Sequence, residues 1–255
     1  MMGEGCVPVN RGFAIRPRQP LMRGVFGGVL ASVGENLWCR HQALRAGGIE
    51  LGTRMTVVRT QRRQLLVHSP VALDDQLRRH LDKLGTVRWV VAPNRFHHLW
   101  VTDWKRAYPA AALWVARGLP QKRPDLPAYE VLGPMLDAPW SPDLEHELVA
   151  GVPAMNEVVF FHAASRTLIT ADLLFYAGAE APWMTRLALT LAGVRGEYGT
   201  TWLEWLLLRD RAAARRSFER ILGWDFDRVI IAHGRIVEIA GREVLRKAYA
   251  WLLEE

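Results

Sequence analysis

The sequence predicts an α/β protein built from two mixed β-sheets with helices on their outer faces. Short apolar runs rich in Val, Ile and Leu alternate with amphipathic segments in the first half of the chain, and a series of strands follows in the second half. Four apolar runs end on or near a histidine or an aspartate, and they span residues 64–68, 88–98, 167–172 and 228–234. Because polar residues just past strand ends converge on one edge of a sheet, the pattern predicts a functional site there.

The first half of the chain has a βαβ rhythm. Leucines at positions 73, 77, 81 and 84 have the spacing of an amphipathic helix, and Pro109 ends a second helical segment. The predicted elements are a hairpin of residues 54–59 and 64–68, a helix over 73–84, a strand that ends at Pro93, a helix over 99–108, a strand over 112–116 and a mostly irregular, proline-rich loop over 119–142.

The second half predicts an antiparallel meander followed by helices and one more strand. Its elements are strands over 144–149, 157–162 and 167–171, a helix over 201–222, a strand over 228–232 and a closing helix over 242–253. Trp183, Trp202 and Trp205 stand among leucines in an amphipathic region. Such a stripe favours a helix packed on the sheet over the alternative, a peripheral contact with a membrane.

Length and composition predict a single domain. A chain of 255 residues that is 50% hydrophobic can bury a full core, which we assign to residues 36–255, with residues 1–35 as an arginine-rich, poorly structured leader. Cys6 and Cys39 form no CxxC pair, so a disulfide framework is not expected. We therefore expect a reducing, cytoplasmic location. No apolar stretch is long enough for a transmembrane segment.

The net charge of +7 is carried mostly by arginine and is compatible with an anionic partner or with a solvated surface. No basic run carries the interleaved aromatic residues that stack on single strands, so a nucleic-acid partner is not predicted. No Gly-x-Ser-x-Gly elbow and no phosphate-binding loop are present. The oligomeric state is left open.

Three motifs together resemble the metallo-β-lactamase-like superfamily, in particular a divergent branch of unknown function. They are a strand that leads into a histidine-containing loop, the turn Ala171-Asp172-Leu173, and the strand end Ala232-His233-Gly234. The resemblance implies a four-layer αββα sandwich of two mixed β-sheets flanked by helices. The family signature His-x-His-x-Asp-His corresponds to residues 93–98, where Pro93 and Arg95 replace the first two histidines and His97 replaces the aspartate.

The resemblance implies one metal site rather than two. His98, Asp172 and His233 match family ligands, His97 is a candidate fourth ligand, and His68 is a candidate extra ligand or an orienter of one. Nitrogen and carboxylate donors of this kind suit one divalent metal ion, zinc or iron. The family's third histidine is missing near Pro153, so the first metal site has lost its histidines. Each of these residues can also be a capping or hydrogen-bonded residue without a metal.

The chemistry that such a site implies is hydrolysis of an ester, an amide or a phosphodiester, with a small-molecule or anionic substrate. Glu157 and Asn94 are candidate catalytic residues: Glu157 as a substitute for the water-orienting aspartate, and Asn94 as a contact to the substrate. Arg95 is a candidate for holding an anionic substrate. The alternative is a non-catalytic member that keeps the fold as a binding or scaffold protein.

Overall fold

Two mixed β-sheets lie face to face between layers of helices. The structure is a computed structural model that describes residues 30–133 and 138–254. The predicted leader falls mostly outside the described residues, and its last part, Ala31–Gly34, forms an edge strand of the first sheet. The assignment of residues 1–35 to a poorly structured leader therefore stays a prediction for residues 1–29.

The first sheet has seven strands within the described residues. In spatial order they are β1 (Ala31–Gly34), β2 (Leu37–Gln42), β5 (Thr53–Arg59), β6 (Gln64–His68), β7 (Thr86–Ala92), β8 (Ala112–Ala116) and β9 (Tyr129–Leu132). A small hairpin of β3 (Arg45–Ala46) and β4 (Ile49–Glu50) stands between β2 and β5. The strands from β1 to β6 pair antiparallel and those from β6 to β9 pair parallel. Parallel pairing needs crossovers, which α1 (Asp75–Leu84), α2 (Val101–Ala107) and α3 (Leu119–Lys122) supply.

The second sheet has the spatial order β10 (Glu145–Leu148), β11 (Val158–His162), β12 (Thr167–Ile169) and β15 (Arg228–Ile230). Between β12 and β15, which pair parallel, the chain forms β13 (Phe175–Tyr176), α4 (Trp183–Leu191), β14 (Tyr198–Gly199), α5 (Trp202–Leu207) and α6 (Arg211–Gly223). It closes with α7 (Gly241–Ala248) and α8 (Ala250–Leu253).

Alternation of side chains along the strands produces the layers. Leu66 of the first sheet and Phe160 of the second belong to one buried cluster between the sheets. The next residue of each strand points the other way, so Val67 packs with α1 and α2, while Phe161 packs with α6 and α7. The layers of the molecule therefore have the order helices, sheet, sheet, helices.

Most of the predicted elements are confirmed within one or two residues. The hairpin is β5 and β6, the helix over 73–84 is α1, and the meander is β10, β11 and β12. The predicted loop over 119–142 is wrong in part, because α3 and the edge strand β9 lie within it. The single helix over 201–222 is two helices, because Asp210 caps α6 through its bond from the Ala213 amide (2.9 Å).

The tryptophans of α4 and α5 do not pack against a sheet. Trp183, Trp202 and Trp205 are exposed, so the expectation that this stripe is buried is wrong for these residues. Among the described residues, no helix has the length and apolar character needed to cross a membrane.

Candidate metal centre

The carboxyl ends of β6, β7, β12 and β15 meet at one edge of the sandwich. His68 is the last residue of β6, and His97, Asp172 and His233 follow β7, β12 and β15 respectively. The predicted site residues therefore gather where parallel strand ends place them.

Three of these side chains form a buried group that we call the trio: His97, Asp172 and His233. The Nε2 atoms of His97 and His233 lie 3.3 and 3.0 Å from Oδ1 of Asp172. One donor atom from each residue can be chosen so that all three lie within 4.8 Å of one another. The trio thus directs two nitrogens and one oxygen toward a common point.

The tautomer of His233 is set by its other ring nitrogen. Nδ1 lies 2.7 Å from the carbonyl oxygen of Gly52, which only accepts, so Nδ1 carries a proton. In the neutral ring Nε2 is then a bare lone pair that faces a carboxylate oxygen. That contact is stable only with a cation that both atoms bind or with a proton on one of the two atoms.

The charges of the trio respond to the same contact. Burial lowers the pKa of His233, but the hydrogen bond and the charge of Asp172 outweigh it, so the net shift is upward. Burial raises the pKa of Asp172, but His97 and His233 outweigh it and hold that pKa well below its usual range. The carboxylate is therefore ionised and ready to hold positive charge.

Asn94 joins the trio to the loop that precedes it. Its Nδ2 donates to Oδ2 of Asp172 (2.7 Å) and to Oε2 of Glu157 (3.0 Å). Its Oδ1 accepts from the amides of Phe96 and His97, both at 2.9 Å. Because the whole side chain is buried and engaged, Asn94 orients Asp172 and shapes the turn that presents His97.

Glu157 holds the turn that carries Asp172. Its carboxylate accepts from the amides of Ala171 (2.8 Å) and Asp172 (2.9 Å). Burial, together with the charge of Asp172, raises the pKa of Glu157 to about 7. The side chain stands behind Asp172 and is buried.

The turn at His233 requires a glycine. Gly234 has φ +108°, and a Cβ there would lie 2.2 Å from Cβ of Tyr176. The guanidinium of Arg54 donates to the carbonyls of Ile231 and Gly234 on either side of His233. The ring of Phe175 stacks on the His233 ring with a centroid distance of 5.4 Å. These contacts fix the ring that faces Asp172.

His97 is oriented by a serine. Oγ of Ser69 lies 2.6 Å from Nδ1 of His97. Ser69 directly follows β6 in a left-handed conformation, with φ +52°. The end of β6 therefore positions a side chain that belongs to the loop after β7.

His68 is buried, and neither of its ring nitrogens has a hydrogen-bond partner within the described part of the chain. Its ring packs edge-on against Phe160 at a centroid distance of 5.5 Å. Burial and the charge of His97 lower the pKa of His68 to about 3, so the ring is neutral. A buried neutral imidazole with unpartnered nitrogens calls for an explanation, and the ligand role of His68 stays a prediction, because the three atoms within 4.8 Å of one another come from His97, Asp172 and His233.

His98 lies outside the trio. Its Nδ1 is 3.0 Å from Nη1 of Arg123, which only donates, so the proton of the neutral ring is on Nε2. Burial, followed by the charges of Lys122 and Arg123, lowers its pKa to about 4. Of the two adjacent histidines, the structure brings His97 and not His98 to Asp172, and the ligand role of His98 stays a prediction.

A cavity of about 410 Å³ opens over the trio. His98 and Glu204 also line it, whereas Asn94, Arg95, Glu157 and His68 do not. The guanidinium of Arg95 instead donates to the carbonyl of Pro153 (3.3 Å). The rest of the wall is largely apolar: Leu44, Ala46, Leu51, Thr53, Pro70, Phe96, Leu99, Trp100, Met155, Phe175, Thr201, Leu203 and Leu207.

Glu204 is a site residue that the sequence analysis missed. It is buried on α5, and the hydroxyl oxygen of Tyr249 lies 2.8 Å from both of its carboxyl oxygens and 3.0 Å from the carbonyl oxygen of Leu173. Tyr249 has one proton to donate, so if the carbonyl takes it, the contact with Glu204 needs a proton on the carboxyl. Burial raises the pKa of Glu204 to about 8, in agreement with a protonated group. Its signal in the sequence is a lone charge in an apolar run.

Solved structures similar to this chain are metallo-β-lactamases. The enzyme from Erythrobacter litoralis has 12% identity and a TM-score of 0.62, covering 89% of this chain and 96% of its own. FIM-1 from Pseudomonas aeruginosa, in its mono-zinc form, has 12% identity and a TM-score of 0.60, covering 89% and 94%. The enzyme from Pontibacter korlensis has 11% identity and a TM-score of 0.59, covering 88% and 98%. A comparison with curated proteins gave no match.

The protein therefore has the metallo-β-lactamase fold, and the predicted four-layer αββα sandwich is confirmed. Within that class, the chain belongs to the family described as Domain of unknown function (DUF4336), whose model matches residues 34–194. The family match and the low identities agree with the divergent branch indicated by the sequence.

Proposed function

We propose that the protein is a metal-dependent hydrolase whose single divalent ion, zinc or iron, is held by His97, Asp172 and His233. The observation that carries the proposal is the 3.0 Å approach of the bare Nε2 of His233 to Oδ1 of Asp172, with the ring tautomer set by Gly52. Two acceptor atoms at that distance fit around a cation. His68, whose ring nitrogens are unpartnered, lies at the same edge but outside the group of ligand atoms within 4.8 Å of one another, and it stays a candidate that orients or extends the site.

One ion fits this site better than two. Pro93 and Arg95 stand at the positions of the first two signature histidines, and neither offers a ligand atom for a second metal. The donor set of two imidazoles and one carboxylate suits zinc or iron. When bound, such an ion polarises a carbonyl or phosphoryl oxygen and lowers the pKa of water.

The chain's own residues divide the remaining tasks. Asn94 and Glu157 position Asp172 from behind, so we assign them positioning roles rather than contact with the substrate. Glu204 lines the cavity, and we assign to it the transfer of a proton to the leaving oxygen, for which its raised pKa of about 8 suits it. For that transfer its proton has to leave the contact with the Tyr249 hydroxyl. The substrate is an ester, amide or phosphodiester, and Arg95 remains a candidate for an anionic group only if its guanidinium leaves the Pro153 carbonyl.

The alternative is a non-catalytic binding or scaffold protein. It is favoured by the ability of the trio to satisfy itself as a hydrogen-bonded group when His233 carries a second proton. Metal content separates the two functions, because only the hydrolase requires an ion at the trio.

The test is elemental analysis of the full chain purified without added metal. We expect about one zinc or iron per chain, in line with a mononuclear site, lost in His97→Ala and in His233→Ala. His80→Ala is the control, because His80 is partly exposed on α1, away from the trio, and its Nδ1 bonds within its own helix to the carbonyl of Gln76. His98→Ala should retain the metal, and its loss there would return His98 to the ligand set. A metal-free wild type, even after reconstitution, would leave the scaffold function.

A further inference from the structure

The helix α5 turns its charge inward and its apolar residues outward. The one residue of α5 that is buried is Glu204, whereas Trp202, Leu203, Trp205 and Leu206 are exposed. Surface helices of water-soluble proteins show the opposite pattern. The inversion points to surroundings outside α5 that are less polar than water.

The neighbouring helix α4 extends the same surface. The amide of Trp202 bonds to the carbonyl of Ala192 at the end of α4 (2.7 Å), so the two helices adjoin. We call the exposed apolar side chains of the two helices the α4–α5 face: Trp183, Met184, Leu187, Leu191, Trp202, Leu203, Trp205 and Leu206. Trp183 is 70% exposed and Leu191 is 74% exposed. A patch of this composition on a protein surface marks an interaction site.

The α4–α5 face is continuous with the cavity over the trio. Leu203 belongs to both, and Thr201, Glu204 and Leu207 of the same segment line the cavity wall. Phe96 and Leu99, across the cavity, are also exposed. An apolar molecule that leaves the face can therefore enter the cavity without crossing a polar surface.

The arginines near the face are less engaged in the fold than the acids. Over residues 180–210 the exposed charged side chains are Arg186, Arg195 and Arg209 and the acids Glu180, Glu197 and Asp210. Two of the acids have partners within the fold, because Glu180 pairs with Arg235 (2.8 Å) and Asp210 caps α6. Guanidinium groups beside an apolar surface suit a layer that presents phosphates above hydrocarbon. Indole rings favour the same boundary between headgroups and acyl chains.

We propose that the α4–α5 face binds the surface of a phospholipid membrane and that the adjoining cavity receives the acyl chain of a lipid ester. The chemical part of this inference rests on the hydrolase function proposed above, while the membrane contact does not. Helices of nine and six residues lie on a bilayer rather than cross it. A second copy of the chain is the competing occupant, and the test below separates it.

The reaction follows from the two ends of the cavity. The acyl chain packs on the leucines of the wall, which places the ester at the polar end with His97, Asp172 and His233. The oxygen of water forms a bond to the carbonyl carbon as the bond from that carbon to the alcohol oxygen breaks. The leaving oxygen takes the proton of the Glu204 carboxyl, and the proton released by water restores it. The products are a fatty acid and an alcohol.

The membrane contact is tested by flotation of the full chain with vesicles of equal parts phosphatidylcholine and phosphatidylglycerol. We expect the wild type and His233→Ala to float with the vesicles, because the contact does not need the metal. Leu191→Ser should float at least fivefold less, and Trp202→Ser/Trp205→Ser less still. Ile239→Ser is the matched control, because Ile239 is as exposed as Leu191, at 74%, and lies outside the face.

Three results would overturn the contact. The first is a wild type that stays with the soluble fraction, and the second is a wild-type dimer, seen by light scattering, that the tryptophan variant does not form. Flotation that salt abolishes and the tryptophan substitutions leave unchanged would also overturn it, since the arginines alone would then be responsible.

The substrate class is tested separately on the metal-loaded protein, with fatty acid release from the same vesicles measured by mass spectrometry. Release by the wild type that falls at least tenfold in both His233→Ala and Trp202→Ser/Trp205→Ser supports a membrane lipid ester. Hydrolysis of the water-soluble p-nitrophenyl acetate without any release from vesicles would overturn the lipid assignment and leave the hydrolase. Vesicle binding with no hydrolysis of either ester would overturn the lipid ester as the substrate and leave the contact, and the metal content measured above would then test the hydrolase separately.

Discussion

The two ends of the cavity are held by opposite means. Each polar side-chain atom of the trio has a partner, and so do the groups behind it: Asn94 uses both ends of its amide, and Glu157 accepts three hydrogen bonds. At the α4–α5 face, large apolar side chains such as Trp205 stand in solvent. Hydrogen bonds hold the side chains at the first end in place, whereas folding leaves the apolar side chains at the second end in contact with solvent.

This difference shows where folding and function separate. The residues that hold the trio in place also hold the turns after β7 and β12. Their loss should therefore destabilise the fold as well as disturb the site. Groups of the α4–α5 face contribute little to stability, so their apolar character serves contact with a partner. Four substitutions test the contrast, in order of decreasing effect.

Replacing Glu157 has the largest expected effect. Glu157→Ala leaves the amides of Ala171 and Asp172 and the side chain of Asn94 as buried donors without an acceptor. Each unpaired donor costs about 1 kcal/mol or more, so the free energy of unfolding, measured by urea unfolding, should fall by roughly 3 kcal/mol. Glu219→Ala, which removes an exposed helical ion pair with Arg215, should change it by less than about 0.5 kcal/mol. Equal losses in the two variants would refute the hydrogen-bonded support.

Replacing Glu204 changes the pH dependence of stability. Its pKa is raised from 4.5 to about 8, so the folded protein holds this proton more tightly than the unfolded chain. The stabilising contribution is complete below pH 4.5 and is lost as the pH rises toward 8.

Glu204→Gln should therefore gain stability relative to the wild type over that interval, by roughly 2 kcal/mol, since each pKa unit is worth about 1.4 kcal/mol and water in the cavity relieves part of the burial. Urea unfolding across the pH range measures it, with Glu243→Gln on the exposed side of α7 as the control. A difference between wild type and Glu204→Gln that does not vary with pH contradicts a protonated Glu204.

Replacing Ser69 tests the orientation of His97. Ser69→Ala removes the hydroxyl 2.6 Å from Nδ1 of His97 and should weaken zinc binding about tenfold, measured by competition with a chromophoric chelator. Ser165→Ala removes an equivalent serine, 2.7 Å from Nδ1 of His162, away from the trio, and should leave the affinity unchanged. If both variants bind zinc like the wild type, Ser69 does not position His97 for a metal.

Replacing Trp205 should have the smallest effect on stability. Trp205 is 62% exposed, so Trp205→Ala should change the free energy of unfolding by less than about 0.5 kcal/mol. Trp104→Ala, on the buried side of α2, should cost about 3 to 5 kcal/mol. A large loss for Trp205→Ala would mean that the face stabilises the fold, and the contrast between the two ends of the cavity would fail.

Much of the site was predictable because strand ends converge. The order of strands and helices placed Asp172 and His233 at one edge, and both lie there. The sequence placed Glu157 at this edge as a catalytic candidate. Sequence distance could not show that its carboxylate faces the amides behind Asp172. Glu204 was missed although it is a lone charge in an apolar run, because that pattern does not show whether the charge or its apolar neighbours turn inward.

The sequence by itself determined the layered fold and the edge at which the polar residues meet, because these follow from periodicity and order along the chain. The replacement of the first signature histidines is what its resemblance to the superfamily implied. Only the tertiary structure decided which of His97 and His98 faces Asp172. Adjacent side chains point in different directions, and the turn built by Asn94 selects one. It also decided that α5 buries Glu204 and exposes its tryptophans. Helical periodicity defines two faces, but the contacts of a folded neighbour determine which of them turns inward.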